Sequence, residues 1–181
     1  CTQRNPQKDT VLFIDPGFPI QKSQLRILGV KWEQFDIYHF RGNNLRDKLE
    51  SFLEKGHIAA IIYSNPNNPA WICLEESELK IIGELATKHD VIVLEDLAYF
   101  CMDFRKDMGK PFEPPYPPTV ARYTDNYIIM LSASKIFSYA GSASHWLVFP
   151  TNYSIGNFLH WPNGMPTQVF SVLHLSPRFC T

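Results

Sequence analysis

At 181 residues, with 45% apolar and 19% charged side chains, the chain has the composition of one soluble globular domain or a piece of a larger one. A net charge of −1 offers no field to draw in nucleic acid or an anionic membrane, and no apolar run reaches the roughly 18 residues needed to cross a bilayer. Small-molecule chemistry in the cytoplasm, with neither nucleic acid nor membrane as partner, is therefore the expectation. The chain opens on Cys1 with no signal-like stretch, which reads as an internal fragment. Its four cysteines, Cys1, Cys73, Cys101 and Cys180, form no C-x-x-C pair and read as reduced thiols that fill space.

Val11 to Ile14 is a short apolar run ending at Asp15-Pro16-Gly17, a strand followed by turn residues. A helix follows to Leu28, closed by Gly29. Lys31 to Phe35 reads as a second strand, and Asn44 to Leu53 as a helix with Leu45, Leu49, Phe52 and Leu53 at helical spacing, ended by Gly56. Ile58 to Tyr63 is a continuous apolar run, the pattern of a strand buried on both faces. It breaks at Ser64-Asn65-Pro66-Asn67-Asn68-Pro69. Leu74 to His89 reads as a helix with Glu75, Glu76 and Glu78 in its first turn and Lys88 and His89 in its last, complementing the macrodipole. Val91 to Leu94 is the next buried strand. After an irregular proline-rich stretch, Pro111 to Pro118, a further strand runs from Tyr127 to Leu131. The alternation predicts an α/β fold: a mainly parallel sheet with helices on both faces. Ligands of such sheets collect beyond the carboxyl ends of the strands, where Ser64 to Pro69, Glu95 to Tyr99 and Ser132 to Lys135 are expected.

Those loops carry the groups that pyridoxal phosphate requires: a lysine for its aldehyde, an anion for its pyridinium nitrogen, donors for its phenolic oxygen and a phosphate cradle. Lys135 stands four residues past Leu131; taken alone it is an ordinary solvated cation. Asp96 follows a buried strand, where an unpaired carboxylate is costly and calls for a cationic partner. Judged from its loop alone, it equally serves as the cap of a short helix. Tyr99 follows three residues later, so one helical turn would present both to one side. Asn68 sits in a proline-locked loop that by itself reads as an ordinary turn. Ser132 and Ser134, with backbone N–H groups, suit a phosphate.

Four blocks, Asp15-Pro16-Gly17-Phe18-Pro19, Ser64 to Pro69, Glu95-Asp96-Leu97-Ala98-Tyr99 and Ser132-Ala133-Ser134-Lys135 followed by Gly141, together resemble the fold-type-I pyridoxal-phosphate enzymes, specifically the class I and II aminotransferases. The likeness spans roughly residues 8–141, taken as part (1–141) of a cofactor-binding large domain. It implies that Lys135 holds the cofactor as a Schiff base and shuttles a proton, that Asp96 pairs with the pyridinium nitrogen, and that Asn68 and Tyr99 bond the phenolic oxygen. It implies that Ser132 binds phosphate, beside the Ser134 hydroxyl that suits the same role. The substrates implied are an amino acid and a 2-oxo acid, with a homodimer for the full-length protein and no metal. The family pattern also has a glycine-rich phosphate loop and a stacking aromatic, both expected upstream of Cys1, and a small C-terminal domain bearing a carboxylate-binding arginine.

The chain departs from that pattern in two places. The family's Asn-Pro runs on to Thr-Gly, whereas Ala70-Trp71 follow Pro69 here; Trp71 reads first as packing, with a substrate wall as the alternative. The family also has a phosphate-binding arginine where this chain has Ala143. Beyond Gly141 the text changes: a single charged residue, Arg178, occurs, alongside His145, His160 and His174 and two of the four tryptophans. After a glycine codon ending in C, Ser142 to Trp146 can be written AGC GCA TCG CAC TGG, and sliding back one base gives CAG CGC ATC GCA CTG, or Gln-Arg-Ile-Ala-Leu. Residues 142–181 are accordingly read as an aberrant, frameshifted or poorly ordered tail, and the chain as inactive alone. A lyase or synthase on the same scaffold, and the aminotransferase-like sensing domain of a transcription regulator, remain the alternatives.

Overall fold

A computed structural model describes residues 5–105, 113–140 and 145–150, and the backbone of 170–175. Parallel strands β1 (Thr10–Asp15), β2 (Lys31–Asp36), β3 (Ile58–Ser64), β4 (Ile92–Leu97) and β5 (Tyr127–Ser132) alternate with helices α1 (Pro19–Ile27), α2 (Asn44–Leu53) and α3 (Glu76–Lys88). A short helix, α4 (Ala133–Ile136), follows β5 directly. Strand β6 (His145–Pro150) runs antiparallel to β5, and β7 (Phe170–Leu175) is parallel to β6. The spatial order is β2-β1-β3-β4-β5-β6-β7. This is the mainly parallel α/β architecture expected from the alternation. Among the described residues, no helix is long and apolar enough to cross a membrane. The tail's Ala143 lies outside the described residues.

The pleat of β1 sorts its side chains onto two faces. Leu12 and Ile14 join Leu45, Leu49 and Leu53 of α2 and Leu79, Ile82 and Leu85 of α3 in the larger core. Val11 and Phe13 turn the other way, joining Ile62, with Leu25, Val30 and Leu94 packed against them. Helices therefore cover both faces, unequally: α1 contributes Leu25 at the edge but buries no residue fully. All seven residues of β3 are buried, which is why its text is an unbroken apolar run. Burying side chains such as Ile61 and Leu12 contributes about 2 kcal/mol each.

Local chemistry sets the helix ends. Gly29 has φ +69, and the N–H of Val30 donates to Leu25 O at 2.9 Å, closing α1 as its glycine predicts. Helix α3 starts later than expected because Leu74 is held in extended chain: its N–H donates to Asn65 Oδ1 at 3.0 Å and its side chain enters the core. Glu78 does more than complement the dipole. It is 1% exposed and accepts from Glu75 N–H (2.8 Å), Gly42 N–H (2.7 Å) and Arg41 Nε (2.6 Å) and Nη2 (2.8 Å). Burial pushes its carboxyl pKa up, but Arg41 and the two backbone donors outweigh that and hold it below the usual value. The carboxylate thus ties the turn before α2 to the start of α3.

Strand β4 is longer than its apolar run suggests. It takes in Glu95, Asp96 and Leu97, since β3 and β5 flank it and supply ladder partners: Tyr63 faces Glu95, Ser64 faces Asp96, and Leu97 faces Leu131. A charged pair can therefore continue a strand that is satisfied on both edges.

Candidate active site

The register aligns the carboxyl ends of three neighbouring strands. Ser64 of β3, Asp96 of β4 and Met130 of β5 lie side by side, and the chain segments leaving these ends carry every residue singled out from the sequence. Asn68 follows β3, Asp96 is next to last in β4 with Tyr99 just beyond the strand, and Ser132, Ser134 and Lys135 span the β5–α4 junction.

The loop after β3 is a rigid mount. Asn67, 5% exposed, donates from Nδ2 to Ser64 Oγ at 3.2 Å and to the Pro16 carbonyl, and its Oδ1 accepts from Ala70 N–H at 3.1 Å. The loop closes on itself through Asn67 N–H to Ile72 O (2.8 Å) and Trp71 N–H to Asn67 O (3.0 Å). The Asn65–Pro66 and Asn68–Pro69 peptide bonds are cis. Held this way, the part-buried Asn68 Nδ2 stands 3.4 Å from the Tyr99 hydroxyl.

Asp96 and Tyr99 do not share a helical turn. Asp96 is the penultimate residue of β4, and Tyr99 sits on the turn after it, where Phe100 N–H donates to Leu97 O at 3.0 Å. Asp96 Oδ1 accepts from Ala98 N–H at 3.1 Å, so the capping role is real, though it caps a turn. Its Oδ2 accepts from Gln21 Nε2 of α1 at 2.9 Å. Asp96 forms no ion pair among the described residues. Burial raises its carboxyl pKa, against the pull of Ala98 N–H, the Gln21 amide and the field of His145.

At the third strand end, Ser132 is buried and caps α4, its Oγ accepting from Ser134 N–H at 3.2 Å. That leaves the Ser132 hydroxyl proton free to donate. Lys135 is exposed, and its amine makes no hydrogen bond or ion pair among the described residues. The structure thus brings Asn68 and Tyr99 into contact, and Ser132 and Ser134. It sets Asp96 and Lys135 on the same edge, with no side-chain hydrogen bond from either to Asn68 or Tyr99 among the described residues.

Residues 1–146 match the family Aminotransferase class I and II. The chain belongs to that family. This class I and II aminotransferase chain is 23% identical over 155 residues to the aspartate aminotransferase of Sulfolobus acidocaldarius, covering 82% of this chain and 36% of that protein. It is 25% identical over 179 residues to the histidinol-phosphate aminotransferase of Buchnera aphidicola subsp. Melaphis rhois, covering 95% and 45%. Its fold is similar to the crystal structure of the PLP-bound C-S lyase from Staphylococcus hominis, with a TM-score of 0.58 at 22% identity over 75% of this chain and 35% of that one. The chain spans less than half the length of these proteins.

Sequence reasoning missed two neighbours of Asp96 in this aminotransferase chain. Gln21 lies on a helix that buries nothing fully, so no pattern marks it. Glu95, expected in a loop, is 0% exposed on the face of β4 opposite Asp96, where its Oε2 accepts from Val120 N–H at 3.0 Å. Burial lifts its pKa to about 7, against the Val120 N–H and the Tyr63 and Asn65 side chains. A charge inside an otherwise apolar strand was the available signal.

Proposed function

We propose that this chain is part of the cofactor-binding domain of a pyridoxal-phosphate-dependent transaminase, moving an amino group between an amino acid and a 2-oxo acid. The observation that carries the reading is the alignment of Asn68, Asp96 and the Ser132–Lys135 segment at the carboxyl ends of β3, β4 and β5. The residues fit the group. Asp96 is a part-buried anion whose partners are neutral donors, which leaves lone pairs for a cationic ring nitrogen. Asn68 Nδ2 and the Tyr99 hydroxyl converge as donors for an anionic oxygen, and the Ser132 and Ser134 hydroxyls suit a phosphate.

When bound, pyridoxal phosphate supplies an aldehyde that captures amines and a ring that accepts electrons from the substrate carbon. Lys135 would hold the group through Nζ, and the same Nζ would take up and return the proton at the substrate carbon. Asp96 would pair with the ring nitrogen and keep a proton there. The same reading takes a cytoplasmic homodimer as the working form of the full-length protein. It treats 142–181 as the product of a shifted frame, so that this chain is inactive alone.

Titrating the chain with pyridoxal phosphate and following visible absorbance tests the assignment. Saturable absorbance is expected in the wild type and its loss in Lys135→Ala; retention in the variant refutes it. The likeness to a C-S lyase supports a second reading, elimination on the same site. Incubating loaded full-length protein with amino acids separates the two: transamination needs an added 2-oxo acid to turn over, and elimination does not.

A further inference from the structure

Trp71 occupies a backbone conformation that side chains rarely take, with φ 55, at the tip of the loop that carries Asn68. Such left-handed geometry costs a bulky residue roughly 1–2 kcal/mol and persists where the surroundings over-determine it. Here the Asn67 carbonyl and Ile72 carbonyl pin the loop on both sides, and the ring finds aromatic neighbours. Trp71 meets Tyr99 edge-on at 5.5 Å between centroids and lies nearly parallel to Phe104 at 6.4 Å with a 12° interplanar angle. Packing is nevertheless incomplete: Trp71 is 45% exposed and Phe104 80%. Two aromatic rings thus stand open to solvent, one of them, Trp71, directly against the Tyr99 of the Asn68–Tyr99 pair.

The charges nearby are spent on one another. Arg105 donates from Nε and Nη2 to Asp103, both at 2.8 Å, and from Nη1 to Glu75 at 3.0 Å. A substrate side chain arriving here meets aromatic surface and a guanidinium already committed to two carboxylates.

Building on the transaminase reading above, we propose that Trp71 and Phe104 form the wall that selects the substrate side chain, favouring amino acids with aromatic or large apolar side chains over acidic ones. The residue change explains itself on this view: a tryptophan stands where the aminotransferase motif has glycine, accepting backbone strain to place a ring beside Tyr99.

The test uses the chain loaded with pyridoxal phosphate and reads the shift in visible absorbance as L-phenylalanine or L-aspartate is added, with no turnover required. Wild type is expected to half-saturate with phenylalanine at about tenfold lower concentration than with aspartate. Trp71→Gly, which relaxes the backbone, and Phe104→Ala, which alters an exposed ring, should each erase most of that ratio while cofactor loading stays the same. A ratio unchanged in both variants, or a wild-type preference for aspartate, overturns the wall even with normal loading. Failure of the wild type to load cofactor at all would instead bring down the transaminase reading, and this inference with it.

Discussion

Gln21 and Asp96, far apart in sequence, are joined by a 2.9 Å hydrogen bond from the Gln21 amide of α1 to Asp96 Oδ2 at the end of β4. It ties the lightly packed helix to the strand-end edge, and it gives a carboxylate with no ion pair among the described residues a second neutral donor. Oδ2 has lone pairs enough for both the amide and a ring nitrogen, so under the proposed function Gln21 would support Asp96 without competing with the cofactor. Gln21→Leu should weaken pyridoxal-phosphate binding by about tenfold, the scale of one hydrogen bond to a charged group. An equilibrium titration by absorbance checks this; tighter binding in the variant would mean that Gln21 blocks the site.

Glu95 makes stability depend on pH. Its carboxyl is raised from 4.5 to about 7 by burial, so the folded state holds the proton more strongly than the unfolded chain. The contribution is fully present below the unfolded value of 4.5 and is lost as pH rises through about 7. The scale is about 3 kcal/mol for a shift of this size. Asp103, held down at about 2 by Arg105, acts in the opposite sense and only in the acid window below its ordinary value of 3.8. Urea unfolding near pH 5 and near pH 8 should show wild type less stable at the higher pH, and Glu95→Gln should flatten the difference. A wild-type curve that rises across that interval, with the variant unchanged, would contradict the assignment.

Gly83 lies where α3 crosses Tyr123. A methyl there would stand 2.6 Å from Tyr123 Cβ and 3.1 Å from its carbonyl carbon and oxygen. Alanine gains about 1 kcal/mol in a helix interior, but overlap with backbone that cannot swing aside costs about 1–3 kcal/mol. Overlap wins, and Gly83→Ala is expected to lower the urea midpoint, whereas helix propensity alone predicts an increase.

Removing the Glu78 carboxylate leaves two backbone N–H groups without an acceptor and the Arg41 guanidinium with only the Cys73 carbonyl, 3.1 Å from Nη2. Glu78→Ala should destabilise by about 3 kcal/mol, the lower end for breaking a buried pair because Arg41 is about one-third exposed. Thermal unfolding of Glu78→Ala beside the exposed control Glu54→Ala distinguishes this hub from a general charge effect.

The shifted-frame reading of residues 142–181 is settled at the DNA. The coding sequence from codon 141 is expected to contain CAGCGCATCGCACTG in the alternative frame, restoring arginine at the position of Ala143; codons that do not encode it sink the idea.

Much of the fold was legible because local signals and tertiary outcome agree. The apolar run of β3, the helical spacing of Leu45, Leu49 and Leu53, and Gly29 past α1 each state in a few residues what the chain does there. The candidate site was legible only as a set of residue types near neighbouring strand ends: Asn68, Asp96, Tyr99, Ser132, Ser134 and Lys135 all come to one edge. Their mutual contacts were not. Tyr99 meets Asn68 and Trp71, not a helical partner of Asp96, because the ladder with β3 and β5 keeps the chain extended through Leu97.

What the sequence by itself determined is the order of elements and the inventory of chemistry, since periodicity, turn residues and strand-end motifs act over a few positions. The tertiary structure alone decided which face Glu95 and Asp96 take, that Gln21 would be the amide on Asp96, that Gly83 must stay bare against Tyr123, and that Trp71 would stand open beside Tyr99. Each depends on groups brought together from distant parts of the chain, where burial and hydrogen-bond satisfaction are set by packing and leave no local mark.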